Sequence, residues 1–433
     1  MGAQNRKLRT VPVTDDARFQ PSFASPSCAL IVAFAYAFTM IVTAAHLPRE
    51  AFEPLSDVFI LSIGLIGIWR YGWWLTHFVR SVIYRRFHFP RLRRAADTVA
   101  RMGHKPGHVF VLSTSYRMAP QVTYAVYDAV LDNALDYGVP TTVFASVSDR
   151  SDVDVLRQVM AARGHPSQVE IRYMFQRGDG KRSAMAEILR AITRIGVGPD
   201  DLVVFMDGDI RLPASTFRRS MPFFFLEDDL GALTTDNGAL VDGGDFTREW
   251  YDLRYAQRHM LMSSTALSRR VLVLTGRYSV VRAGLCTSKD FIARVERDHI
   301  EHKRFGTVTF LSGDDKSTWF CLLEWGWAMR YVPDVKVFGF ERLTNPDRFV
   351  SSTLDLMRRW FGNMVRTSGR AIRLGPRRMG LFTWWCLVDQ RLSVWTTLVG
   401  PTVAVALTIF VRPSFGIAYL LIWVRVMTPP PLR

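Results

Sequence analysis

The stretch that decides the fold is Asp201-Leu-Val-Val-Phe-Met-Asp-Gly-Asp-Ile-Arg-Leu-Pro213. Its apolar run, residues 202–206, is typical of a buried parallel strand, and two carboxylates, Asp207 and Asp209, follow it directly. In an open α/β sheet, ligands bind just beyond the carboxyl ends of the strands. Two hard oxygen ligands at that point suit Mg²⁺ or Mn²⁺ held together with nucleotide phosphates. A plain surface turn is the alternative, since Asp-Gly is common turn chemistry.

The composition narrows the classes of partner. The chain has 433 residues, which leaves room for two or three domains, and 48% of them are hydrophobic. A formal net charge of +16 fits a nucleic acid, a membrane surface or a polyanionic substrate. The sequence has no zinc-ligand spacing, no aromatic RNA-binding motif and no long basic tract, so nucleic acid is the weakest of the three. Four Cys follow no pairing pattern and indicate neither disulfides nor a metal site.

The N-terminal part of the chain is predicted to hold membrane segments. Residues 1–27 are polar and are predicted to be a disordered tail. Two apolar runs within residues 28–79 are each about as long as a membrane-spanning helix, and together they predict a transmembrane hairpin. The linker at residues 80–104 is rich in Arg. Because Lys and Arg are in excess on the cytoplasmic side of membrane spans, the tail, the linker and the domain after it are predicted to be cytoplasmic.

Residues 105–350 have the composition of a globular catalytic domain. Strand patterns at residues 108–112, 140–147 and 169–174 alternate with helical patterns, and the apolar run at 202–206 continues the series. This alternation predicts an α/β fold with a parallel, doubly wound sheet. The later part of the domain is less regular.

Beyond the domain, the chain is predicted to return to the membrane. Residues 351–374 form one amphipathic pattern that carries five Arg, which is typical of a helix lying at a membrane surface. Residues 375–433 hold C-terminal apolar segments, of which 392–411 and 415–427 are candidate spans.

Two candidate donor-binding groups lie on loops between the early strands and helices. Asp149 follows the second strand, where a carboxylate could hydrogen-bond a nucleobase or a ribose. A helix N-cap is the alternative for such a residue, and we assign that role to Asp152 instead. Lys181, in Gly-Asp-Gly-Lys at a predicted helix start, is placed to reach a donor phosphate, and a solvated surface lysine is its alternative.

Acidic and basic groups later in the chain complete the set. Asp314 and Asp315 stand at the head of a predicted helix, where the helix dipole favours carboxylates. Arg358, Arg359 and Trp360 form a cationic cluster that suits bidentate clamping of a pyrophosphate. Each has a structural alternative of its own, yet the ordered set, flanked by apolar segments, is difficult to explain otherwise.

The ordered set resembles the processive family 2 glycosyltransferases of bacterial membranes, which include cellulose and hyaluronan synthases. The resemblance implies a cytoplasmic α/β domain of the nucleotide-diphospho-sugar transferase (GT-A) type, with flanking transmembrane helices in the inner membrane. It also implies Mg²⁺ or Mn²⁺ at the paired carboxylates and an inverting displacement. The matching positions are Asp149 for the nucleoside, Asp207 and Asp209 for the metal, Gly313-Asp314-Asp315 with Asp315 as catalytic base, and Arg359-Trp360 on the interfacial helix, with Leu356 where the family has Gln.

Three longer strings narrow the resemblance to the mannuronan synthases, the alginate-polymerising branch of this family. They lie at residues 311–319, 359–363 and 374–391. The branch implies GDP-mannuronic acid as donor, a growing polymannuronate chain as acceptor, and polymer-export and regulatory subunits in the same lipid bilayer. Arg277 and Arg282 are then candidates to meet uronate carboxylates.

Two alternatives remain open. A non-processive membrane glycosyltransferase that uses another donor, such as a UDP-sugar, would make a glycolipid or another polysaccharide. A degenerate transferase domain would serve as a scaffold in an export complex and would turn over no donor, although a scaffold need not keep acids at all these points.

Overall fold

The computed structural model describes residues 19–21, 64–176, 180–302, 306–308, 313–345 and 348–410, with the single positions 34, 38, 413, 414 and 417. The strands are β1 (Phe19–Pro21), β2 (Val109–Thr114), β3 (Thr141–Val147), β4 (Val169–Phe175), β5 (Leu202–Asp207), β6 (Ile210–Arg211), β7 (Leu230–Asp242), β8 (Ser279–Arg282), β9 (Ile300–His302), β10 (Gly306–Val308) and β11 (Ala328–Arg342). The α-helices are α1 (Gly64–Ile83), α2 (Phe89–Arg101), α3 (Pro120–Tyr137), α4 (Arg150–Ala162), α5 (Lys181–Ile195), α6 (Thr216–Ser220), α7 (Asp245–Ala266), α8 (Ala283–Cys286), α9 (Lys289–Glu296), α10 (Asp314–Glu324), α11 (Phe349–Arg373), α12 (Gly375–Met379) and α13 (Leu381–Phe410).

One mixed sheet organises the domain. Its strand order is β4-β3-β2-β5-β8-β7-β11-β6, and β1 pairs with β7. The strands β4, β3, β2 and β5 run parallel, as the alternation of strands and helices predicts. From β8 onward the sheet is mixed, because β8 runs antiparallel to both β5 and β7. The prediction of a parallel sheet is therefore wrong for the second half of the domain, where the sequence shows no such alternation.

The central strands have helices on both faces, and this explains their composition. Every residue of β2 and β3 is buried, and β5 is buried up to Met206. Strands covered on both faces are continuous apolar runs rather than alternating ones. The helix after β2 begins with Pro120 and ends at Gly138, whose φ of 67° is a left-handed conformation that favours glycine.

The predicted tail contributes one strand. Residues 19–21 form β1, and Phe19 pairs with Asp242 of β7 in antiparallel register. This corrects the prediction of disorder at those three positions, since β7 offers a free strand edge there. The rest of the tail, residues 1–18 and 22–27, lies outside the described residues.

The basic segment after the first apolar runs is helical and is attached to the domain. It comprises the end of α1, one π-helical turn (Tyr84–His88) and α2. His77 Nδ1 lies 2.9 Å from Ser264 Oγ on α7, and Tyr84 donates a hydrogen bond to the Tyr331 carbonyl at 2.6 Å. These contacts fix the segment against the face of the domain that carries α7 and β11.

The predicted membrane segments are described only in part. Among the helices of the described residues, none is long and apolar enough to cross a membrane. Residues 28–63, apart from 34 and 38, lie outside the described part of the chain, as do residues 415–427 apart from 417. The remaining stretches of the predicted spans lie in α1 and α13, and the predicted amphipathic helix at 351–374 corresponds to α11.

The ion pair between Arg93 and Asp334 gives a prediction about stability. The guanidinium meets both carboxylate oxygens, at 2.8 and 2.6 Å, and only 13% of the Arg93 side chain is exposed. Because a bidentate, half-buried pair is stronger than an exposed one, we expect Arg93→Ala to lower the free energy of unfolding by about 2 kcal/mol. Chemical denaturation of the purified protein measures this change.

The exposed pair of Arg157 and Asp154 on α4 supplies the control, since 69% of the Arg157 side chain is exposed. Arg157→Ala is expected to change the free energy of unfolding by less than about 0.5 kcal/mol. Equal losses in the two variants would contradict a special contribution from Arg93.

Candidate active site

The turn after β5 places two carboxylates at the end of the sheet. Gly208 has no room for a side chain, because an added Cβ would lie 1.9 Å from Ser115 Oγ on the loop after β2. On the other side, the Phe340 amide of β11 donates to the Asp209 carbonyl at 2.9 Å. The turn is therefore held between two neighbouring parts of the domain, with Asp207 as the last residue of β5.

The head of α10 brings a second pair of carboxylates to the same place. Asp314 and Asp315 occupy its first turn, where the helix dipole favours negative charge. Gly313 before them has a φ of 97°, a left-handed conformation that suits glycine. The helix is anchored behind the site by Trp319, which is fully buried and donates its indole N–H to the Val271 carbonyl at 2.6 Å.

Lys181 joins the two pairs. It is the first residue of α5, and its Nζ lies 2.5 Å from Asp207 Oδ1 and 2.8 Å from Asp314 Oδ2. Although burial opposes the charged form, these two carboxylates raise the pKa of Lys181. Lys181 is therefore not a solvated surface lysine, and its contact with a donor phosphate stays a prediction.

Nearby positive charge does not fully offset the burial of Asp207, Asp209 and Asp315. Asp209 Oδ1 is buried and has no hydrogen-bond partner among the described residues, and burial together with the charge of Asp207 raises the pKa of Asp209 to about 7. Burial also raises the pKa of Asp207, against the effect of Lys181, and it raises the pKa of Asp315 with help from Asp314. An additional cation would stabilise the ionised forms of these three carboxylates.

The donor set fits a divalent cation that is shared with a ligand. Among the described residues, no three His, Cys, Asp or Glu side chains converge as a metal cage. A cation held by Asp207 and Asp209 would therefore take its other oxygens from phosphate or water, which is how Mg²⁺ is usually bound beside nucleotides. The orphaned Asp209 oxygen is the observation of this structure that favours such an ion.

These groups open into one cleft of about 580 Å³. This volume lies within the range of small-molecule sites in proteins. The cleft lies between the ends of β5 and β6, the head of α10, and one side each of α7 and α11. The predicted site residues that line it are Lys181, Asp207, Asp209, Asp314, Asp315, Arg359 and Trp360.

Asp149 and Arg358, which were predicted to bind the nucleotide sugar, do not line the cleft. The Arg358 side chain is 88% exposed and lies 3.9 Å from Asp355. Adjacent residues of a helix point about 100° apart, so Arg358 points away from the cleft that Arg359 lines. Asp149 caps α4: its carboxylate accepts from the Ser151 amide at 3.0 Å, and Asp152 accepts from the Asp149 amide at 3.2 Å. The N-cap role assigned to Asp152 thus belongs to Asp149, within a capping box, and a nucleoside contact of Asp149 stays a prediction.

The apolar neighbours of Arg359 explain its orientation. Trp360 and Leu356 pack beside a buried cluster that includes Tyr251, Tyr255 and Leu343. Leu356, at the place of the family's Gln, therefore contributes packing here. Its burial holds one side of α11 against the domain and leaves Arg359 facing the cleft.

Sequence reasoning missed the cationic side chains of α7. Arg254 and Arg258 line the cleft, whereas Arg282 lies elsewhere and donates to the carbonyls of Leu230 and Phe224. Arg277 does line the cleft and forms an ion pair with Glu341. The signal available in the sequence was helical spacing, since positions 254, 258 and 261 fall on one face of a helix.

A family model and curated relatives both match this chain to glycosyltransferases. The model of the glycosyltransferase-like family 2 matches residues 106–363, a range that includes every predicted site residue. The chain is 41% identical over 392 residues to glycosyltransferase alg8 of Pseudomonas syringae pv. tomato, covering 90% of this chain and 78% of that protein. It is 40% identical over 390 residues to glycosyltransferase alg8 of Azotobacter vinelandii, covering 89% and 78%.

Solved structures show more distant similarity. A mannosyltransferase from Pyrobaculum calidifontis, in complex with GDP-Man and Mn²⁺, is 16% identical with a TM-score of 0.44, covering 81% of this chain and 97% of that one. Glucosyl-3-phosphoglycerate synthase of Mycobacterium tuberculosis is 14% identical with a TM-score of 0.35, covering 62% and 84%.

The raised pKa of Asp209 predicts how stability depends on pH. A carboxyl whose pKa in the folded state is about 7, above its usual value of 3.8, destabilises the fold increasingly as the pH rises between those values. Asp209→Asn removes that charge at nearly constant shape. In the absence of divalent cations we therefore expect Asp209→Asn to melt above the wild type at about pH 8, with a smaller difference at about pH 5.

Thermal unfolding at the two pH values measures this difference. Asp154→Asn, which removes an exposed carboxylate on α4, is the matched control and is expected to show no such dependence on pH. An Asp209→Asn variant that is less stable than the wild type at the higher pH would contradict the account of Asp209.

Proposed function

This chain belongs to the glycosyltransferase-like family 2, alongside the glycosyltransferases alg8, and we propose that it polymerises GDP-mannuronic acid into polymannuronate, the precursor of alginate. One observation carries the proposal: the Asp207/Asp209 pair and Asp315 open into the same cleft. Metal-binding carboxylates and a base on one cavity suit the transfer of a sugar from a nucleotide diphosphate. The choice of donor is supported by the strings at 311–319, 359–363 and 374–391.

The reaction is a single displacement with inversion at the anomeric carbon. Asp315 takes the proton of the acceptor hydroxyl, whose oxygen forms the new bond to that carbon. The bond between the carbon and the diphosphate oxygen breaks at the same time, and GDP leaves with the electron pair. The pKa of Asp315, raised by burial and by Asp314, makes its carboxylate a stronger base than an exposed aspartate.

Two parts of the cleft meet the negative charge of the leaving group, and a third holds the site together. Asp207 and Asp209 would hold Mg²⁺ or Mn²⁺, which when bound supplies a Lewis acid for the diphosphate. Arg359 faces the same cleft and adds a fixed positive charge. Lys181 favours the ionised forms of Asp207 and Asp314 and holds the two carboxylates close together, so that the site is organised before the donor enters.

The membrane placement is part of the same proposal. The apolar runs within residues 28–79 and 375–433 support a multi-pass protein of the bacterial inner membrane, with the catalytic domain cytoplasmic. The amphipathic, Arg-bearing α11 supports contact with the bilayer surface next to the cleft. The polymer would be exported through the membrane with the help of export and regulatory subunits.

Donor turnover tests the proposed function. Membranes that carry the full chain are supplied with GDP-mannuronic acid, UDP-glucose, UDP-glucuronic acid or UDP-N-acetylglucosamine, and nucleotide release and product length are measured. We expect turnover of GDP-mannuronic acid alone, a long polyuronate product, and loss of activity by about 10³-fold or more in Asp315→Asn, because the base is removed. Arg157→Gln on the exposed side of α4 is the matched control.

The other outcomes decide between the alternatives. Use of a UDP-sugar would overturn the donor assignment and leave the roles of the carboxylates in place. A short or lipid-linked product would contradict processive synthesis. If no donor is consumed even with export partners supplied, the chain is a scaffold.

A further inference from the structure

One side of α7 presents two arginines to the cleft. Arg254, Arg258 and Leu261 line it from successive turns of the helix. Residues four apart in a helix are neighbours, so the two guanidinium groups lie on the same wall of the cleft. The proposed sugar transfer gives neither Arg254 nor Arg258 a role.

Arg258 has more donors than partners. Within the described residues, its Nη2 is buried without a hydrogen-bond partner, and its Nη1 donates to the Asn237 amide oxygen at 2.8 Å in the amide orientation that satisfies both ends. Within the described part of the chain, Arg258 forms no ion pair. A buried guanidinium is stabilised by an anion that accepts from its free edge.

Arg254 is in a similar situation. Among the described residues, its Nε is buried without a hydrogen-bond partner, and its Nη1 donates to a neutral group, Gln257 Oε1, at 3.1 Å. The guanidinium lies over the Phe361 ring at 5.8 Å. By contrast, Arg277 on the same cleft is neutralised by Glu341. The α7 wall of the cleft therefore carries uncompensated positive charge.

We propose that Arg254 and Arg258 bind the carboxylate of a uronate residue in the cleft and so select an acidic sugar over a neutral one. The planar fork of a guanidinium matches a carboxylate bidentately. Arg254 and Arg258 line the same cleft as the base, Asp315. We place the sugar rings against the α7 wall and the diphosphate beside Asp207, Asp209 and Arg359.

The inference rests on the proposed function, because it takes a polyuronate synthase as its premise. In such an enzyme both the donor sugar and the terminal acceptor sugar carry a carboxylate, and either could meet these arginines. The ligand chemistry is the same in both cases, and the experiment separates the two sources.

Calorimetric titration of the purified full chain tests the assignment with three ligands. GDP-mannuronic acid, GDP-mannose and GDP share the nucleotide, and only the first carries a sugar carboxylate. If the donor carboxylate is bound, Arg258→Gln is expected to weaken binding of GDP-mannuronic acid about 10- to 100-fold and to leave GDP-mannose and GDP unchanged. Arg254→Gln is expected to act in the same direction.

Kinetics with an oligomannuronate acceptor tests the second source. If the acceptor carboxylate is bound, Arg258→Gln leaves donor binding and donor hydrolysis unchanged and raises the acceptor KM about 10-fold or more. Arg258→Lys, which keeps the charge but loses the fork, is expected to fall between the wild type and Arg258→Gln in either assay. Thermal unfolding shows whether each variant is folded. If Arg258→Gln is not folded, Arg258→Lys is used in both assays in its place.

Three results would contradict a carboxylate-binding site at Arg254 and Arg258. They are weaker binding of GDP itself in Arg258→Gln, equal loss for GDP-mannuronic acid and GDP-mannose, and no change in either donor binding or acceptor KM. Arg157→Gln, an equally large charge change at an exposed position, is the control. If the wild type neither binds nor uses GDP-mannuronic acid, the proposed function is wrong. If the wild type binds and uses it and Arg258→Gln behaves like the wild type, only the carboxylate site at Arg254 and Arg258 is wrong.

Discussion

The site depends on how buried carboxylates are kept together in spite of their mutual repulsion. Lys181 at the start of α5 bonds to Asp207 at the end of β5 and to Asp314 at the start of α10, at 2.5 and 2.8 Å. One ammonium thus joins the ends of three elements. It offsets part of the negative charge and leaves Asp209 with a buried, unpartnered oxygen. The local deficit of positive charge at Asp209 makes this part of the cleft suited to a divalent cation.

The rest of the fold positions the other wall of the cleft. Asp298, which is almost fully buried, forms a bidentate ion pair with Arg370 of α11 at 2.6 Å and accepts a hydrogen bond from Ser317 of α10. Breaking a buried pair of this kind is costly, because it leaves a charge unpaired in the interior. The pair therefore fixes α11 relative to α10, and α11 also carries Arg359 and Trp360 into the cleft that the carboxylates line.

The parts of the structure that depend on local pattern were predictable from the sequence. The parallel strands around residues 202–206 follow from buried apolar runs that alternate with helical patterns, and the carboxylates of Asp207 and Asp315 follow from their places at element ends. The antiparallel entry of β8 was not predictable, because strand pairing across the sheet is a long-range property. Nor could the motif Arg358-Arg359 indicate which side chain faces the cleft, since that depends on where α11 packs.

The central claim is that the carboxylates at the end of β5 form a cation site that holds the nucleotide diphosphate. Its most direct test is titration of the purified full chain with GDP, in Mn²⁺ and in EDTA, for the wild type and Asp209→Asn. We expect Mn²⁺ to tighten GDP binding by about tenfold or more in the wild type and to have little effect in Asp209→Asn. Equal GDP affinity of the wild type in Mn²⁺ and in EDTA would contradict it.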